Sequence, residues 1–169
     1  MTEKKIGLFY GSSTCYTEFV AEKIVEMIGE DRVDLHNIAT SPITHMLDYD
    51  FLIFGIPTWD YGELQEDWEA IWDDLDSIDL SGKTCAVFGL GDQQGYADWF
   101  QDALGYLYHK LLGMRANMIG AWPNQDYEFN ESKALTDDEE MFLGLSLDEE
   151  NQSELTEERL KTWLAQILA

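Results

Sequence analysis

Basic side chains are scarce in this chain. Only 10 lysines and arginines stand against 34 aspartates and glutamates, a formal net charge of −24. A surface of that sign repels phosphate backbones and anionic lipid, so nucleic-acid binding and attachment to a membrane surface are excluded and basic partners are favoured. Cysteine is nearly absent as well. Cys15 and Cys85 have neither CxxC spacing nor a histidine cluster nearby, and His36, His45 and His109 are scattered, so no metal site is expected. No apolar run approaches the roughly 20 residues of a membrane span, and no signal-peptide hydrophobic region precedes Gly11. Repeats and low-complexity tracts are also missing. The expectation is a cytoplasmic protein.

What the chain does have is a globular composition, 45% hydrophobic and 13% aromatic over 169 residues. That length suits one domain, residues 1–169, with a core that needs no disulfide or metal. Apolar runs alternate with helical periodicity. Strands are expected over Lys4 to Tyr10, Val33 to Ile38, Phe51 to Gly55, Cys85 to Gly89 and Asn117 to Trp122. Helices are expected over Thr17 to Ile28 (apolar stripe Val20, Ile24, Met27, Ile28, closed by Gly29), Leu64 to Leu75, Asp98 to Leu112 and from Thr156 to the end, with a short helical segment after Pro42. The last helix should bury Leu160, Trp163, Leu164, Ile167 and Leu168. Alternating βα units with strands apolar throughout imply an α/β class, a doubly wound five-stranded parallel sheet covered by helices on both faces. The polar stretch PNQDYEFNESKALTDDEEM breaks this pattern and reads as an insertion over about 123–142, because Phe142 to Leu147 resumes as strand.

Sheets of this type bind ligands beyond the carboxyl ends of their strands, so the loops 11–17, 56–63 and 89–98 should share one rim. GSSTCYTE, the first loop, runs from an apolar strand into a helix and offers hydroxyls and backbone N–H groups with no lysine or arginine among them. It suits a phosphate monoester, or is simply a polar turn with a helix cap. Nucleoside triphosphate hydrolysis is disfavoured because GxxxxGK(S/T) is missing, and a C-x5-R phosphatase loop fails because Ala21 stands six residues after Cys15. In the second loop, Pro57-Thr58-Trp59-Asp60-Tyr61-Gly62, aromatic rings at an exposed rim point to a flat heteroaromatic ligand. The third, with Leu90, Gly91, Asp92 and Tyr96, spaces its glycines GxGxxxG after the fourth strand, which is not a dinucleotide fingerprint. Together the three loops suit a mononucleotide with a stacked ring.

GSSTCYTE, PTWDYGELQEDW, GLGDQQGYADWFQDALG and GLSLDEENQSELTEERLKTW closely resemble the long-chain bacterial flavodoxins over essentially the whole chain. The Cys-Tyr pair in the first loop, where that family usually has Gly followed by Asn or Lys, is similar to a second gamma-proteobacterial subgroup. The resemblance implies strand order 2-1-3-4-5 with the insertion splitting the fifth strand, and non-covalent FMN as cofactor. Ser12, Ser13, Thr14, Cys15, Tyr16 and Thr17 would enclose its phosphate. Trp59 and Tyr96 would sandwich its ring, and backbone around Asp60, Gly91 and Asp92 would meet the ring's polar edge. Asp148 is a further candidate, for a ribityl contact.

The implied function is that of a low-potential one-electron carrier and not an enzyme, passing between semiquinone and hydroquinone. The implied partners are basic-faced redox proteins, such as an NADP-linked flavodoxin reductase and acceptor enzymes, met by a monomer. The charge supports this reading. One carboxylate about 10 Å from a reduced ring, at an effective dielectric near ~20, opposes the added electron by roughly 1.7 kcal/mol, or about 70 mV. Glu63, Glu66, Asp67, Glu69, Asp73 and Asp74 would steer docking. Two alternatives remain at this point. An FMN-dependent quinone or nitro-compound reductase on the same fold would need a nicotinamide site, and a receiver domain would need a lysine after the fifth strand.

Overall fold

The computed structural model describes residues 5–13 and 15–169. Lys4 and Thr14, both named above, lie outside the described residues.

Strand β1 (Ile6–Tyr10) is buried along its whole length, paired on its edges by the parallel strands β2 (Val33–Asn37) and β3 (Phe51–Trp59) and covered on both faces by the two cores. Leu8 pairs with both Leu35 and Ile53. β5 (Thr84–Leu90) lies parallel to β3, which gives the order β2-β1-β3-β5. Side chains alternate between the faces. Phe9, Leu52, Phe54, Ile56 and Val87 enter one core, with Trp68 and the apolar stripe of helix α3 (Asp102–Gly113). Leu8, Ile53, Ala86, Phe88 and Leu90 enter the other, against α1 (Tyr16–Ile28) and α4 (Thr156–Ile167). Register is therefore strongly fixed. A one-residue slip would exchange the faces of several side chains, each stabilising by about 1.5–3 kcal/mol when buried.

The fifth position in the sheet is held by two short strands on the same edge. β6 (Asn117–Met118) pairs with Thr84 and Cys85, and β9 (Leu145–Leu147) pairs with Phe88 to Leu90. This is the expected order 2-1-3-4-5 with a split fifth strand. The continuous strand expected to reach Trp122 stops at Met118. Trp122–Pro123 (β7) instead forms an antiparallel pair with Met141–Phe142 (β8), the stem of the inserted segment.

Other boundaries also move, each for a tertiary reason. β3 runs four residues past Gly55 because β5 pairs with it as far as Pro57 and a hairpin arm, β4 (Glu63–Leu64), pairs with Thr58 and Trp59. That hairpin takes Leu64 out of the expected helix, so α2 covers only Glu66–Ile71 and is followed by a 3-10 turn at Asp74–Ser77. α3 begins four residues later than its periodicity suggests. Gln101 sits at φ 62, its side-chain amide donates to Gly89 O and Leu147 O, and Phe100 N donates to Glu131 O. Met27 and Leu168, expected on buried stripes, are exposed at the ends of α1 and α4, where they edge a shallow groove.

On the β2 side, His36 stacks on Phe9 at 4.4 Å and contacts the Tyr49 hydroxyl at 2.8 Å. Tyr49 donates to Asp34, so the His36 Nε2 must donate to Tyr49. Burial, and then the nearby His45, push the His36 pKa down, against the opposing pull of Asp34 and Asp48. A depressed histidine pKa means that the unfolded chain binds the proton more readily. Its contribution is complete above about pH 6.5, the ordinary histidine value, and fades as pH falls below it. Denaturant midpoints at pH 7.5 and 5.5 should differ less in His36→Gln than in the wild type. An equal difference in the two proteins would remove His36 from the pH response.

Candidate functional site

Three loops emerge at the carboxyl edge of the sheet, after β1, β3 and β5. The chain crosses to opposite sides of the sheet from the adjacent strands β1 and β3, the place where open α/β sheets form their ligand crevice. There the structure has a narrow cleft of about 180 Å³. One wall is Pro57, Thr58, Trp59 and Asp60, and another is Leu90, Gly91, Asp92 and Tyr96. Tyr16, from the first turn of α1, and Glu149 and Glu150, from the β9–α4 connection, complete it. Two wider depressions, of about 670 and 740 Å³, lie between α2 and α3 and beside the inserted segment. Neither brings the three loops together.

The aromatic turn is held by its neighbours. Thr58 Oγ1 accepts from Ala103 N at 3.0 Å, which ties the turn to the start of α3. Asp60 and Gly62 have φ of 43° and 85°, so the three-residue loop that closes the β3–β4 hairpin needs left-handed backbone at both. At Gly62 a side chain would also meet the Asp102 carboxylate at 2.7 Å. Tyr61 and Gly62, expected at the site, do not line the cleft. The Tyr61 ring packs edge-on against Trp99 at 4.9 Å, and Gly62 borders the depression between α2 and α3.

The Tyr96 wall rests on a buried carboxylate. Asp148 is fully buried, and its two oxygens accept from Gln93 N and Nε2, Glu150 N, and Asn151 N and Nδ2, at 2.8–3.1 Å. Asp148, expected to contact a ribityl chain, does not line the cleft, and its oxygens are engaged by these protein donors. Asn151 Nδ2 also reaches Asp92 Oδ1, which in turn accepts from Gln94 N and Gly95 N. Burial raises the Asp92 pKa, but the Gly95, Asn151 and Gln94 donors outweigh it, and the carboxyl is held below its ordinary value as a fixed anion on the wall. Gln93 and Asn151 gave no signal in the sequence, since their role depends on partners more than 50 residues away. Glu149 and Glu150, which line the cleft, were likewise not singled out in the sequence.

Of its described residues, the hydroxyl loop reaches the cleft only through Tyr16, and Ser12, Ser13, Cys15 and Thr17 do not line it. Cys15 takes the left-handed N-cap position of α1 at φ 71, is exposed, and makes no side-chain cap. Among the described residues, the N–H groups of the first helical turn thus have no cap from the N-cap side chain. Ser12 Oγ is buried and has no hydrogen-bond partner, Ser13 is exposed, and Thr17 is buried in the first turn of α1. No lysine or arginine lines the cleft among the described residues. An anion here would be met by neutral donors and a helix N-terminus. The orphaned Ser12 hydroxyl, the uncapped helix and the aromatic walls fit a phosphate monoester carrying a flat ring.

This arrangement defines a doubly wound α/β protein with an aromatic cleft at its switch point. The Flavodoxin family matches residues 8–163. The chain is 54% identical to Flavodoxin 2 of Escherichia coli K12 over 163 residues, covering 96% of this chain and 94% of that one. It is 51% identical to a flavodoxin of Nostoc sp. PCC 7120 over 164 residues, covering 97% and 95%. Among solved structures, the FMN-bound flavodoxin of Fusobacterium nucleatum superposes with a TM-score of 0.91 at 28% identity, covering 98% of this chain and 97% of that one. The chain belongs to the flavodoxin family. No helix among the described residues is long and apolar enough to cross a membrane.

Proposed function

We propose that this protein is a one-electron carrier that holds FMN non-covalently in the aromatic cleft. The observation that carries the reading is the cleft between Trp59 and Tyr96 beside a cation-free hydroxyl loop with an orphaned buried donor. When bound, FMN supplies the redox chemistry, accepting and releasing electrons singly. Ser12, Ser13, Thr14, Cys15, Tyr16 and Thr17 surround the phosphate, and Thr14 takes its place there on the sequence pattern alone. Trp59 and Tyr96 flank the ring and keep water from its faces, while backbone at Asp60, Gly91 and Asp92 meets its polar edge. The carboxylates of Asp60, Asp92, Glu149 and Glu150 surround the cleft with negative charge, which opposes placing more there and lowers the potential.

A chain of net charge −24 suits a cytoplasmic monomer that meets basic faces on a reductase and on acceptor enzymes. Its association rate with such a reductase should fall steeply as ionic strength rises. A flat salt dependence would count against steering.

The reading is tested by titrating apoprotein with FMN and then reducing the complex anaerobically with dithionite. Stoichiometric binding and two separate one-electron steps are expected. Trp59→Ala should weaken FMN about 10- to 100-fold, the range for loss of one aromatic stacking partner. A protein that takes up no FMN overturns the reading.

A further inference from the structure

Gln65 links the Trp59 hairpin to the hydroxyl loop. It follows the Trp59 hairpin, stands just before α2 and is 1% exposed. Its Nε2 donates to Asp67 Oδ2 at 2.8 Å and to Ser13 Oγ, in the hydroxyl loop, at 2.9 Å. Its Oε1 is buried without a partner, pressed against Gly11 where any side chain would begin. Trp68, one turn further on, bonds Gly55 O and occupies the rest of the space beside Gly11. The base of the hydroxyl loop therefore rests on this one amide and one indole.

The direction of these bonds follows from the chemistry of the partners. An ionised carboxylate only accepts, so the face of the amide turned to Asp67 must be nitrogen, since an amide oxygen there would meet the carboxylate with no hydrogen between them. Ser13 Oγ then accepts from Gln65. A hydroxyl has one hydrogen, and with its oxygen engaged from inside, that hydrogen is free to point out of the loop. Accepting a bond also polarises the hydroxyl and makes it a better donor. In a loop without cations, a neutral donor with a fixed direction matters more than it would beside a lysine.

We propose that Gln65, braced by Asp67, is a positioning residue that sets Ser13 as a donor toward a phosphate monoester, and thereby helps this protein select FMN over a flavin without phosphate. The inference rests on the FMN reading above. It assigns a role to a side chain that has no place on the cleft surface.

The test titrates apoprotein with FMN, with riboflavin and with inorganic phosphate, reading flavin fluorescence for the first two and thermal stabilisation for the third. Gln65→Ala should weaken FMN by about tenfold or more, the scale of a hydrogen bond to a charged group, and should abolish stabilisation by phosphate. Its riboflavin affinity should stay within about twofold of wild type, and adding Ser13→Ala to it should cost nothing further, because both changes remove the same donor. Parallel loss of FMN and riboflavin, or losses from Gln65→Ala and Ser13→Ala that add, would overturn the inference. Should Gln65→Ala fail to fold, Asp67→Asn keeps the buried amide and removes the group that fixes its direction. An unchanged ratio of FMN to riboflavin affinity in that variant is then the refuting result. A wild type that binds no FMN refutes the carrier reading, whereas a wild type that binds FMN beside an unaffected Gln65→Ala refutes only the role of Gln65.

Discussion

Asp148→Ala should lower stability by about 3 kcal/mol or more and weaken FMN binding at the same time. The carboxylate has no solvent exposure and accepts five hydrogen bonds from Gln93, Glu150 and Asn151. Removing it strands those donors, and each buried, unmet donor costs about 1–3 kcal/mol, less where the half-exposed Glu150 and Asn151 recover water. The functional loss follows from what the donors belong to. Gln93 lies in the loop that carries Tyr96, its Oε1 accepts from Glu128 N of the inserted segment at 2.6 Å, and Asn151 holds Asp92. Without Asp148, that wall keeps the Gly91 N–Leu147 O bond but loses the carboxylate that holds Gln93 and Asn151 together. Urea unfolding of the apoprotein and FMN titration would measure the two effects. A variant as stable as wild type would show that the network contributes nothing net.

Trp163→Ala should separate stability from binding. Trp163 is completely buried on the inner face of α4, donates to Gly120 O at 2.9 Å and meets Phe88 edge-on at 6.5 Å. Truncating a buried tryptophan costs about 3–5 kcal/mol. At about 2–4 °C per kcal/mol for a chain of this size, the midpoint should fall by roughly 10 °C. The ring belongs to the core against α1 and α4 and does not line the cleft, so FMN affinity at 25 °C should be unchanged in the folded fraction. Loss of affinity matching that of Asp148→Ala would mean that the cleft depends on the whole core and not on its own network.

Those two residues show how differently parts of this protein could be read beforehand. Trp163 was legible because helical spacing from Leu160 through Ile167 marks a buried stripe whatever it packs against. The cleft-lining aromatics Trp59 and Tyr96 were legible because exposed rings beside glycine and proline need a reason. The bracing role of Asp148 was not legible, since which donors a carboxylate meets is set by partners that only the fold assembles. Gln65 was hidden inside an expected helix. Its backbone is extended, because the β3–β4 hairpin pairs Leu64 with Thr58 and delays α2 until Glu66.

The sequence by itself determined the α/β class and a parallel sheet apolar on both faces, because these follow from helical periodicity of 3.6 residues alternating with strands apolar throughout, while the strand order came with the family resemblance. It also determined that an anion in the first loop must be held without a cation, since none is there to supply. Tertiary structure alone decided where β3 ends, why α3 starts late, at which residues the two halves of the fifth strand begin and end, and which polar side chains brace the cleft. Each of those depends on hydrogen bonds between residues far apart in the chain, whose partners have no fixed spacing and become neighbours only when the sheet closes.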